Sequence, residues 1–543
     1  MAVIEVRDFS FTYPGCRAKV LSGISIDVER GDFVLICGKS GSGKTTLLKN
    51  LKPEIAPGGS AEGSIRLDGR AELSHAESAK LIGFVMQDPD NQIVMDSVWL
   101  ELAFGMENLA VPPEEIGRRI GEIAGFFGIQ SWFSKSVFEL SGGQKQILNL
   151  ASVIAMQADI IVLDEPTAQL DPIAAKEFLQ MLKRVNSELG KTVIISEHRF
   201  EDVLSLADEV VCLEEGHIKY SGTNSGFASF LEGDTSGFSL ALPAPTRLAI
   251  KYPIDAEAPL DVREGRKWLT EAMKTRRLIA ATETLSSASQ HTCEVPTRQP
   301  PVLLAAKDVW FKYGKADDFV LRGLTADIRE GTIHAFVGGN GSGKSTLMKL
   351  LGGVLRPNKG SIRAAKGKSV RLLPQDPKSV FVCDTLADDL REHEPDATDE
   401  QIDALTERLG IAHLTDRHPY DLSSGEMQKA ALAKILLLKP DVLLLDEPVK
   451  SLDAFSRASL AKILHELSED GVTIAMVTHD VEFAAEHADR CSMVFGSAII
   501  AEGTGRDFFG HNMFYTTSIS RMTRGIIDGC ILIGDITEDG DNG

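Results

Sequence analysis

Short, mostly apolar runs alternate along this chain with longer segments that place apolar residues at helical spacing. Helical spacing is clearest over 173–189 and 454–467. Strands that alternate with helices pack as α/β layers around a mostly parallel sheet. The pattern therefore predicts an α/β fold. The runs expected to form its strands lie at 34–37, 160–163, 193–195, 333–337, 442–445 and 474–477.

The pattern occurs twice, and so do the polar strings that follow its apolar runs. The matching strings are GKSGSGKT at 38–45 with GGNGSGKS at 338–345, LSGGQ at 140–144 with LSSGE at 422–426, and DEP at 164–166 with DEP at 446–448. In both copies the serine of the second string lies 23 positions before the aspartate of the third. Such a fixed spacing indicates a duplicated module.

Each glycine-rich string follows a predicted strand and precedes a predicted helix, as a phosphate-binding loop does. Glycine lets the backbone N–H groups approach a phosphate closely, the lysine reaches the β and γ phosphates, and the following hydroxyl holds Mg²⁺. The sequence therefore predicts two sites for ATP with Mg²⁺. The predicted phosphate-loop contacts are Gly38, Ser40, Gly41, Gly43, Lys44, Thr45, Thr46, Gly338, Asn340, Gly341, Gly343, Lys344, Ser345 and Thr346.

Acidic residues end one apolar run in each copy. Asp164 and Asp446 lie at the expected carboxyl edge of the sheet, where a carboxylate can reach Mg²⁺ through water. Glu165 and Glu447 follow directly and can orient and polarise the attacking water as general bases. A structural acidic cap at a strand end is the alternative, and the recurrence of the pair favours the catalytic interpretation.

A histidine follows a further apolar run in each copy. His198 and His479 lie 34 and 33 positions beyond the two aspartates. A histidine at a strand end can donate a hydrogen bond to a γ-phosphate. A single such histidine would more often be structural, but its recurrence at a matching distance favours a functional role.

Both copies resemble the ATPase modules of ATP-binding cassette (ABC) proteins in these loops, signature strings, aspartates and histidines. The resemblance implies that the two modules pair head to tail, with each ATP between one module's phosphate loop and the other's signature. It also implies further nucleotide contacts: adenine stacking by Tyr13 and Tyr313, the signature residues Ser141, Gly142, Gly143, Ser423, Ser424 and Gly425, and the inter-site loop residues Asp171 and Asp453. A core role for the tyrosines remains the alternative.

The first glutamine loop, QDPDNQIV at 87–94, resembles the energy-coupling factor (ECF) subfamily, which imports vitamins or cobalt and nickel ions. That resemblance implies that Gln87 and Gln375 sense the γ-phosphate and Mg²⁺. It implies two membrane partners, a transmembrane scaffold (T-type) subunit and a substrate-binding (S-type) subunit. The expected location is the cytoplasmic face of the membrane, as a peripheral subunit. Module two reads QDPKS at 375–379, so the two partner grooves are expected to differ.

Two other classes fit less well. Tandem sugar-import ATPases lack the string at 87–94. Soluble F-type ABC translation factors usually carry a long, basic, helical linker that reaches RNA, whereas residues 234–300 here hold nine Lys and Arg against eight Asp and Glu. Membrane sedimentation or ribosome sedimentation would separate these classes.

Composition narrows the choice further. The chain of 543 residues has 78 acidic and 57 basic side chains, a net charge of −21, so no nucleic-acid partner is expected. Its seven cysteines are scattered without metal-ligand spacing, which is typical of a reducing compartment. No signal peptide or membrane-spanning run is recognisable, so a membrane role is expected to be one of docking.

The expected domains are module 1 over 1–235, a linker over 236–300, module 2 over 301–505 and a C-terminal extension over 506–543. Prolines predict an extended linker, with a weak helical pattern over 263–284. The extension is expected to pack and then fray. The second signature departs from the usual string at Ser424 and Glu426. If position 424 needs φ > 0, the β-carbon of Ser424 costs roughly 1–2 kcal/mol, and if the position is helical the cost vanishes. From this departure alone, the site of Lys344, Glu447 and the first signature is expected to hydrolyse ATP faster.

Overall fold

The computed structural model describes residues 2–198, 200–234, 237–276, 278–280, 300–315, 317–394 and 396–538. The chain divides into two compact units, Met1–Thr246 and Arg247–Gly543. Each contains one of the two predicted modules, and the predicted α/β fold is confirmed in both.

A six-stranded sheet of order β5-β6-β7-β3-β8-β9 forms the centre of the first unit, and a three-stranded antiparallel sheet of order β2-β1-β4 packs beside it. Only β9 at the edge of the larger sheet is antiparallel. The strands are β1 (Ala2–Thr12), β2 (Leu21–Glu29), β3 (Phe33–Gly38), β4 (Ser60–Leu67), β5 (Ile82–Val85), β6 (Ile160–Asp164), β7 (Thr192–Ser196), β8 (Glu209–Glu214) and β9 (His217–Thr223).

Helices of the first unit pack against these sheets or connect their strands. The helices are α1 (Lys44–Asn50), α2 (His75–Leu81), α3 (Val98–Asn108), α4 (Pro113–Phe127), α5 (Gly142–Ala155), α6 (Pro172–Leu189) and α7 (Asn224–Phe230), and the division between the units falls inside α8 (Ala244–Lys251). The central position of β3, between β7 and β8, brings its glycine-rich loop beside the ends of β6 and β7.

The second unit repeats this architecture with the sheet orders β15-β16-β17-β13-β18-β19 and β12-β11-β14, and adds a two-stranded sheet of β10 and β20. Its strands are β10 (Leu278–Ala280), β11 (Val302–Phe311), β12 (Leu321–Arg329), β13 (Ile333–Val337), β14 (Lys359–Ala364), β15 (Val370–Leu373), β16 (Val442–Asp446), β17 (Thr473–Val477), β18 (Arg490–Phe495), β19 (Ala498–Thr504) and β20 (Ile536–Glu538).

The helices of the second unit follow the same order along the chain. They are α9 (Val262–Arg276), α10 (Lys344–Leu351), α11 (Leu386–His393), α12 (Asp399–Arg408), α13 (Ser424–Leu436), α14 (Ala454–Glu469), α15 (Val481–His487), α16 (Gly505–His511) and α17 (Ser518–Thr523).

Strand β16 shows why these runs are apolar at every position. Val442 and Leu444 belong to the core shared with the three-stranded sheet, whereas Leu443 and Leu445 belong to the core shared with the helices. A parallel strand covered on both faces buries both sets of alternating side chains, so its sequence reads as a continuous apolar run.

The segment predicted as an extended linker is folded where the structure describes it. Residues 237–280 hold a 3₁₀ turn, α8, α9 and β10, and β10 pairs with β20 of the C-terminal extension. On α9, Arg266 Nη1 donates to the carbonyl oxygens of three residues at the end of α17, Arg521, Met522 and Arg524, at 3.0–3.1 Å. The expectation of an extended linker was therefore wrong over the 3₁₀ turn and α8, whereas the weak helical pattern predicted over 263–284 is confirmed by α9 as far as Arg276. The partners of Arg266 lie some 250 positions further along the chain. Residues 281–299 and the end of the extension lie outside the described residues.

Among the residues that the structure describes, none of the helices has both the length and the apolar character needed to span a bilayer.

Candidate functional site

The first glycine-rich loop joins β3 to α1 and closes around its own lysine. The Lys44 ammonium donates to the carbonyl oxygens of Gly38 at 2.9 Å and Lys39 at 3.1 Å, and its side chain is buried. Gly43 has φ 99° and a Cβ there would lie 2.6 Å from Leu21, so glycine is required both by the backbone and by packing. The loop is therefore preformed around a buried cation.

The second loop joins β13 to α10 with nearly the same geometry. The Lys344 ammonium donates to the carbonyl oxygens of Gly338 at 2.9 Å and Gly339 at 2.8 Å, and Gly343 has φ 98°. Of the other predicted loop contacts, Ser40, Gly41, Asn340 and Gly341 are exposed, and Gly38 and Gly338 are buried.

Each loop also holds a serine hydroxyl that lacks a partner. Ser42 Oγ and Ser342 Oγ are buried and make no hydrogen bond to any residue that the structure describes. A buried hydroxyl without a partner costs free energy, roughly 1–3 kcal/mol. An incoming phosphate oxygen would satisfy it. The loops thus fit a phosphate ligand, and these serines are site residues that sequence reasoning missed.

The predicted metal ligands are brought together in both units. Thr45 Oγ1 donates to Asp164 Oδ1 at 3.0 Å, and Ser345 Oγ donates to Asp446 Oδ1 at 3.0 Å. Burial raises the pKa of both aspartates, and the neighbouring glutamate adds to the rise. A hydroxyl beside a buried carboxylate is a donor set that suits Mg²⁺, and the cation would favour the charged form of the acid.

The predicted glutamate and histidine contact each other in each unit. Glu165 Oε1 lies 2.6 Å from His198 Nε2, and Glu447 Oε1 lies 2.8 Å from His479 Nε2. The other imidazole nitrogens differ: His198 Nδ1 faces the Lys44 ammonium at 3.4 Å, whereas His479 Nδ1 faces a carbonyl oxygen. An unprotonated Nδ1 can accept from the Lys44 ammonium, whereas Nδ1 of His479 can bond to a carbonyl oxygen only as a donor.

The two predicted glutamines occupy different environments. Gln87 Nε2 donates to Glu165 Oε2 at 2.8 Å, so the first glutamine already contacts the acidic group of its site. Gln375 is exposed and makes no side-chain hydrogen bond to any residue that the structure describes. The structure therefore brings Gln87, but not Gln375, to its glutamate.

The signature strings begin α5 and α13. Ser141 and Ser423 are N-cap residues, and Gln144 and Glu426 complete capping boxes with them. Glutamate and glutamine serve equally at this position, so Glu426 preserves the helix start. The glycine before Gln144 or Glu426 lies close to the helix that follows the DEP string. A Cβ at Gly143 would lie 2.9 Å from Ala174, and a Cβ at Gly425 would lie 2.5 Å from Ser456.

Of the two alternatives for Ser424, the structure shows the helical one, in which a β-carbon causes no strain. Ser424 is the first residue of α13, and it is not among the residues with positive φ. Its counterpart Gly142 is also helical, and a Cβ there would meet open space. The backbone argument for unequal ATP sites is therefore wrong, because a helical position accommodates a β-carbon without cost.

The remaining predicted residues lie close to these elements. Tyr13 and Tyr313 bond through their hydroxyls to Thr46 Oγ1 and Thr346 Oγ1, each at 3.0 Å, so the rings lie beside the first helical turn after each loop. Asp171 and Asp453 are the N-caps of α6 and α14. The structure shows where these tyrosines and aspartates lie. Their contacts with a nucleotide remain predictions.

Two further polar residues at the end of β7 were missed. Ser196 and Glu197 are buried and bond to the segment that carries Asp164 and Glu165. The apolar run before them recurs in the second copy, but the serine and the glutamate do not. The comparison of repeats therefore gave no signal for these two residues.

A family model described as ABC transporter matches residues 21–168 and 321–450. A protein of Bacillus cereus (strain ATCC 10987 / NRS 248), whose name describes an ABC transporter ATP-binding protein, is 39% identical over 96% of this chain and 95% of its own length. A Bacillus subtilis (strain 168) protein, named for ATP binding in HMP/thiamine import, is 29% identical over 93% of this chain and 92% of its own.

Solved structures show the same two-module fold. The archaeal ribosome recycling factor aABCE1, solved with the stalk protein aP1, aligns over 93% of this chain and 91% of its own with a TM-score of 0.59. Its sequence identity is 21%, so the likeness is one of fold alone.

Proposed function

The chain belongs to the ABC transporter family of ATPases, and from this premise we propose that it is the ATP-hydrolysing subunit of an ECF-type importer. ATP binding and hydrolysis at two sites would drive uptake of a vitamin or a transition-metal ion through membrane partner subunits. The observation that carries the proposal is the string at 87–94, and the thiamine-import name of the Bacillus subtilis relative supports it.

The string is a structured element of the first unit. After Gln87, Asp88 caps a 3₁₀ turn over Pro89–Asn91. Gln92, directly after the turn, accepts from Met86 N–H and donates to Phe84 C=O, both of which precede the turn. These bonds link the turn to the strand that precedes Gln87. A force on the turn would therefore reach the residue that touches Glu165.

At each site we assign the lysine to phosphate binding, and the hydroxyl and aspartate to Mg²⁺. The metal, when bound, neutralises charge on the β and γ phosphates. Glu165 and Glu447 would orient the attacking water and accept its proton, with Oε1 steadied by the histidine. Each lysine ammonium donates to carbonyl oxygens of its own loop. Phosphate binding would replace these hydrogen bonds with stronger ones to an anion.

The family resemblance also supports composite sites. Ser141, Gly142 and Gly143 would complete the site of Lys344, and the second signature would complete the site of Lys44. An isolated half of the chain, held monomeric, would then hydrolyse ATP far more slowly than the intact chain.

Exposed apolar side chains beside the string mark the surface proposed for the scaffold subunit. This first patch consists of Val94, Trp99, Leu100 and Phe138, each 40–82% exposed. The segment of Phe138 is held next to the string because Val137 N–H donates to Asp96 C=O. Clustered exposed apolar groups of this kind mark interaction sites.

The corresponding surface of the second unit is less apolar. Val382 and Tyr420 are exposed there, but Ala387 and Asp388 stand where the first unit has Trp99 and Leu100. We propose that the scaffold subunit presents a more apolar segment to the first unit and a more basic one to the second.

Co-purification from membranes tests the importer assignment. The tagged chain should recover small hydrophobic membrane proteins, and Leu100→Glu should reduce that recovery about tenfold, because it places a charge in the first patch. Leu189→Glu is the matched control, since Leu189 is similarly exposed on α6, away from the string. Recovery that is unaffected by Leu100→Glu, or RNase-sensitive sedimentation with ribosomes, would count against the importer.

A further inference from the structure

Ser196 ends β7 at the point where the acidic residues of the first site begin. It is fully buried and pairs in register with Asp164 on the neighbouring strand. Its hydroxyl donates to Asp164 Oδ1 at 2.9 Å and accepts from Glu165 N–H at 3.1 Å. A serine hydroxyl has one proton to donate and lone pairs to accept with, so a single atom satisfies both contacts.

These contacts constrain the two acidic residues at different points. Asp164 Oδ1 accepts from Thr45 as well as from Ser196, which fixes the carboxylate between two hydroxyls. Glu165 has φ 46°, a conformation that a residue with a β-carbon adopts at a cost. Its N–H donates both to the Ser196 carbonyl oxygen at 3.0 Å and to the Ser196 hydroxyl at 3.1 Å, so the hydroxyl adds a second contact to the one that the strand backbone makes.

The second unit lacks this hydroxyl at the same register. Val477 pairs with Asp446, and among the described residues Glu447 N–H donates to the Val477 carbonyl oxygen at 2.9 Å, as Glu165 N–H does to the Ser196 carbonyl oxygen, with no hydroxyl beside it. Glu447 has φ 55°, so its backbone conformation persists without the hydroxyl. Valine is therefore compatible with the fold at this position, and it gives a substitution of similar size for the first unit.

A second link in the first unit connects the same two segments. The buried Glu197 carboxylate accepts from Thr167 N–H at 3.0 Å and Thr167 Oγ1 at 2.7 Å. The second unit has Val449 and Thr478 at these positions, and the Thr478 hydroxyl accepts instead from Asp480 N–H. Among the described residues, the links made by the Ser196 hydroxyl and the Glu197 carboxylate are thus found in the first unit, whereas the histidine–glutamate contact occurs in both units.

We propose that Ser196 is a positioning residue of the first ATP site: it holds the Asp164 carboxylate toward Thr45 and the Glu165 backbone in its catalytic orientation. The inference rests on the proposed roles of Asp164 and Glu165. Positioning acts on the chemical step, since it sets how often the carboxylates are correctly placed. Binding of the triphosphate by the loop and Lys44 does not depend on it.

The test compares Ser196→Val with Ser196→Thr in the full-length chain carrying Glu447→Gln, so that turnover reports the first site. Loss of a hydrogen bond to a charged group predicts a fall in kcat of about tenfold or more for Ser196→Val, with KM for ATP within about twofold. Ser196→Thr retains the hydroxyl and should recover kcat to within about threefold. If Glu447→Gln silences both sites, total kcat of the otherwise unaltered chain replaces it as the readout.

Thermal unfolding separates positioning from folding. Ser196→Val should leave Tm nearly unchanged, because the second unit folds with Val477 at the same register. Unaltered kcat in a folded Ser196→Val chain, or an equal loss in Ser196→Thr, overturns the inference. Lys44→Ala tests the underlying assignment separately. If Lys44→Ala leaves first-site turnover intact, the proposed ATP site is wrong; if it abolishes turnover while Ser196→Val does not, only the positioning role is wrong.

Discussion

The two phosphate loops are near copies, whereas the side chains that face them have diverged. The loop lysines of both units donate to the first loop carbonyl at 2.9 Å, and the glycines before them have φ 99° and 98°. Around that common loop, only the first unit has its glutamine bonded to its glutamate and a serine between its acids. Duplication has thus preserved what the backbone requires and relaxed what individual side chains provide.

The two site histidines, His198 and His479, also differ in the side chains and backbone groups around them. His198 lies between an ammonium and a carboxylate, and His479 lies between a carbonyl oxygen and a carboxylate. Each ring follows the end of its strand, but its Nδ1 meets an ammonium in the first unit and a carbonyl oxygen in the second. Functional equivalence of the two sites therefore does not follow from the shared motifs, and the following variants test it.

The largest effect is expected at a buried ion pair that only the second unit has. Lys434 Nζ lies 2.6 Å from Asp389 Oδ1, and both side chains are almost fully buried. Lys434→Met leaves Asp389 without a cation and should lower the free energy of unfolding of the second unit by about 3–5 kcal/mol. Denaturant titration monitored by hydrogen exchange of α11 and α13 would measure it.

The control is the corresponding site of the first unit. Ser152 stands at the position of Lys434, and Glu101 there accepts from backbone N–H groups of Val94 and Met95. Ser152→Ala should cost less than about 1 kcal/mol. Replacing both charged residues, as Lys434→Met with Asp389→Leu, should recover much of the loss; no recovery would contradict the ion-pair explanation.

The next effect tests what the two units share. Lys44→Ala and Lys344→Ala should each reduce the catalytic turnover of their own site by about 10²–10³, because each removes the buried cation of its loop. Single-turnover hydrolysis with radiolabelled ATP would measure it. Exposed Lys462→Ala should have no effect. A variant of either loop lysine with unaltered turnover would show that its loop is not a working site.

A smaller effect should distinguish the glutamines. Gln87→Ala removes a 2.8 Å hydrogen bond to Glu165 and should lower hydrolysis at the first site about tenfold. Gln375→Ala should change hydrolysis at the second site less, because Gln375 has no such bond in the state seen here. Equal losses would mean that Gln375 moves to its glutamate when nucleotide binds.

The smallest effect concerns the signatures. Since Ser424 is helical and unstrained, Ser424→Gly should change the rate of the site that it completes by less than about threefold. The prediction that the site of Lys344 and Glu447 is faster then depends on the Ser424 side chain alone. Comparison of residual rates in Glu165→Gln and Glu447→Gln would test it, and equal rates would contradict it.

The spacing of glycine, lysine, aspartate and histidine along the chain was sufficient to predict both loops and the aspartates, glutamates and histidines beside them. These features are local: each depends on a strand end and on a residue type within a short string. Glu426 illustrates the limit, since it was noted as a departure but keeps the capping box of α13. Ser196 illustrates it more strongly, since its importance comes from the strand beside it.

By itself the sequence determined the duplication, the α/β modules and the identity of the phosphate loops, because repeated local patterns encode them directly. Only the tertiary structure decided that α9 and β10 pack against the C-terminal extension, and that one glutamine touches its acid while the other does not. Such contacts join positions far apart in the chain, and their energy depends on distances that no local pattern contains.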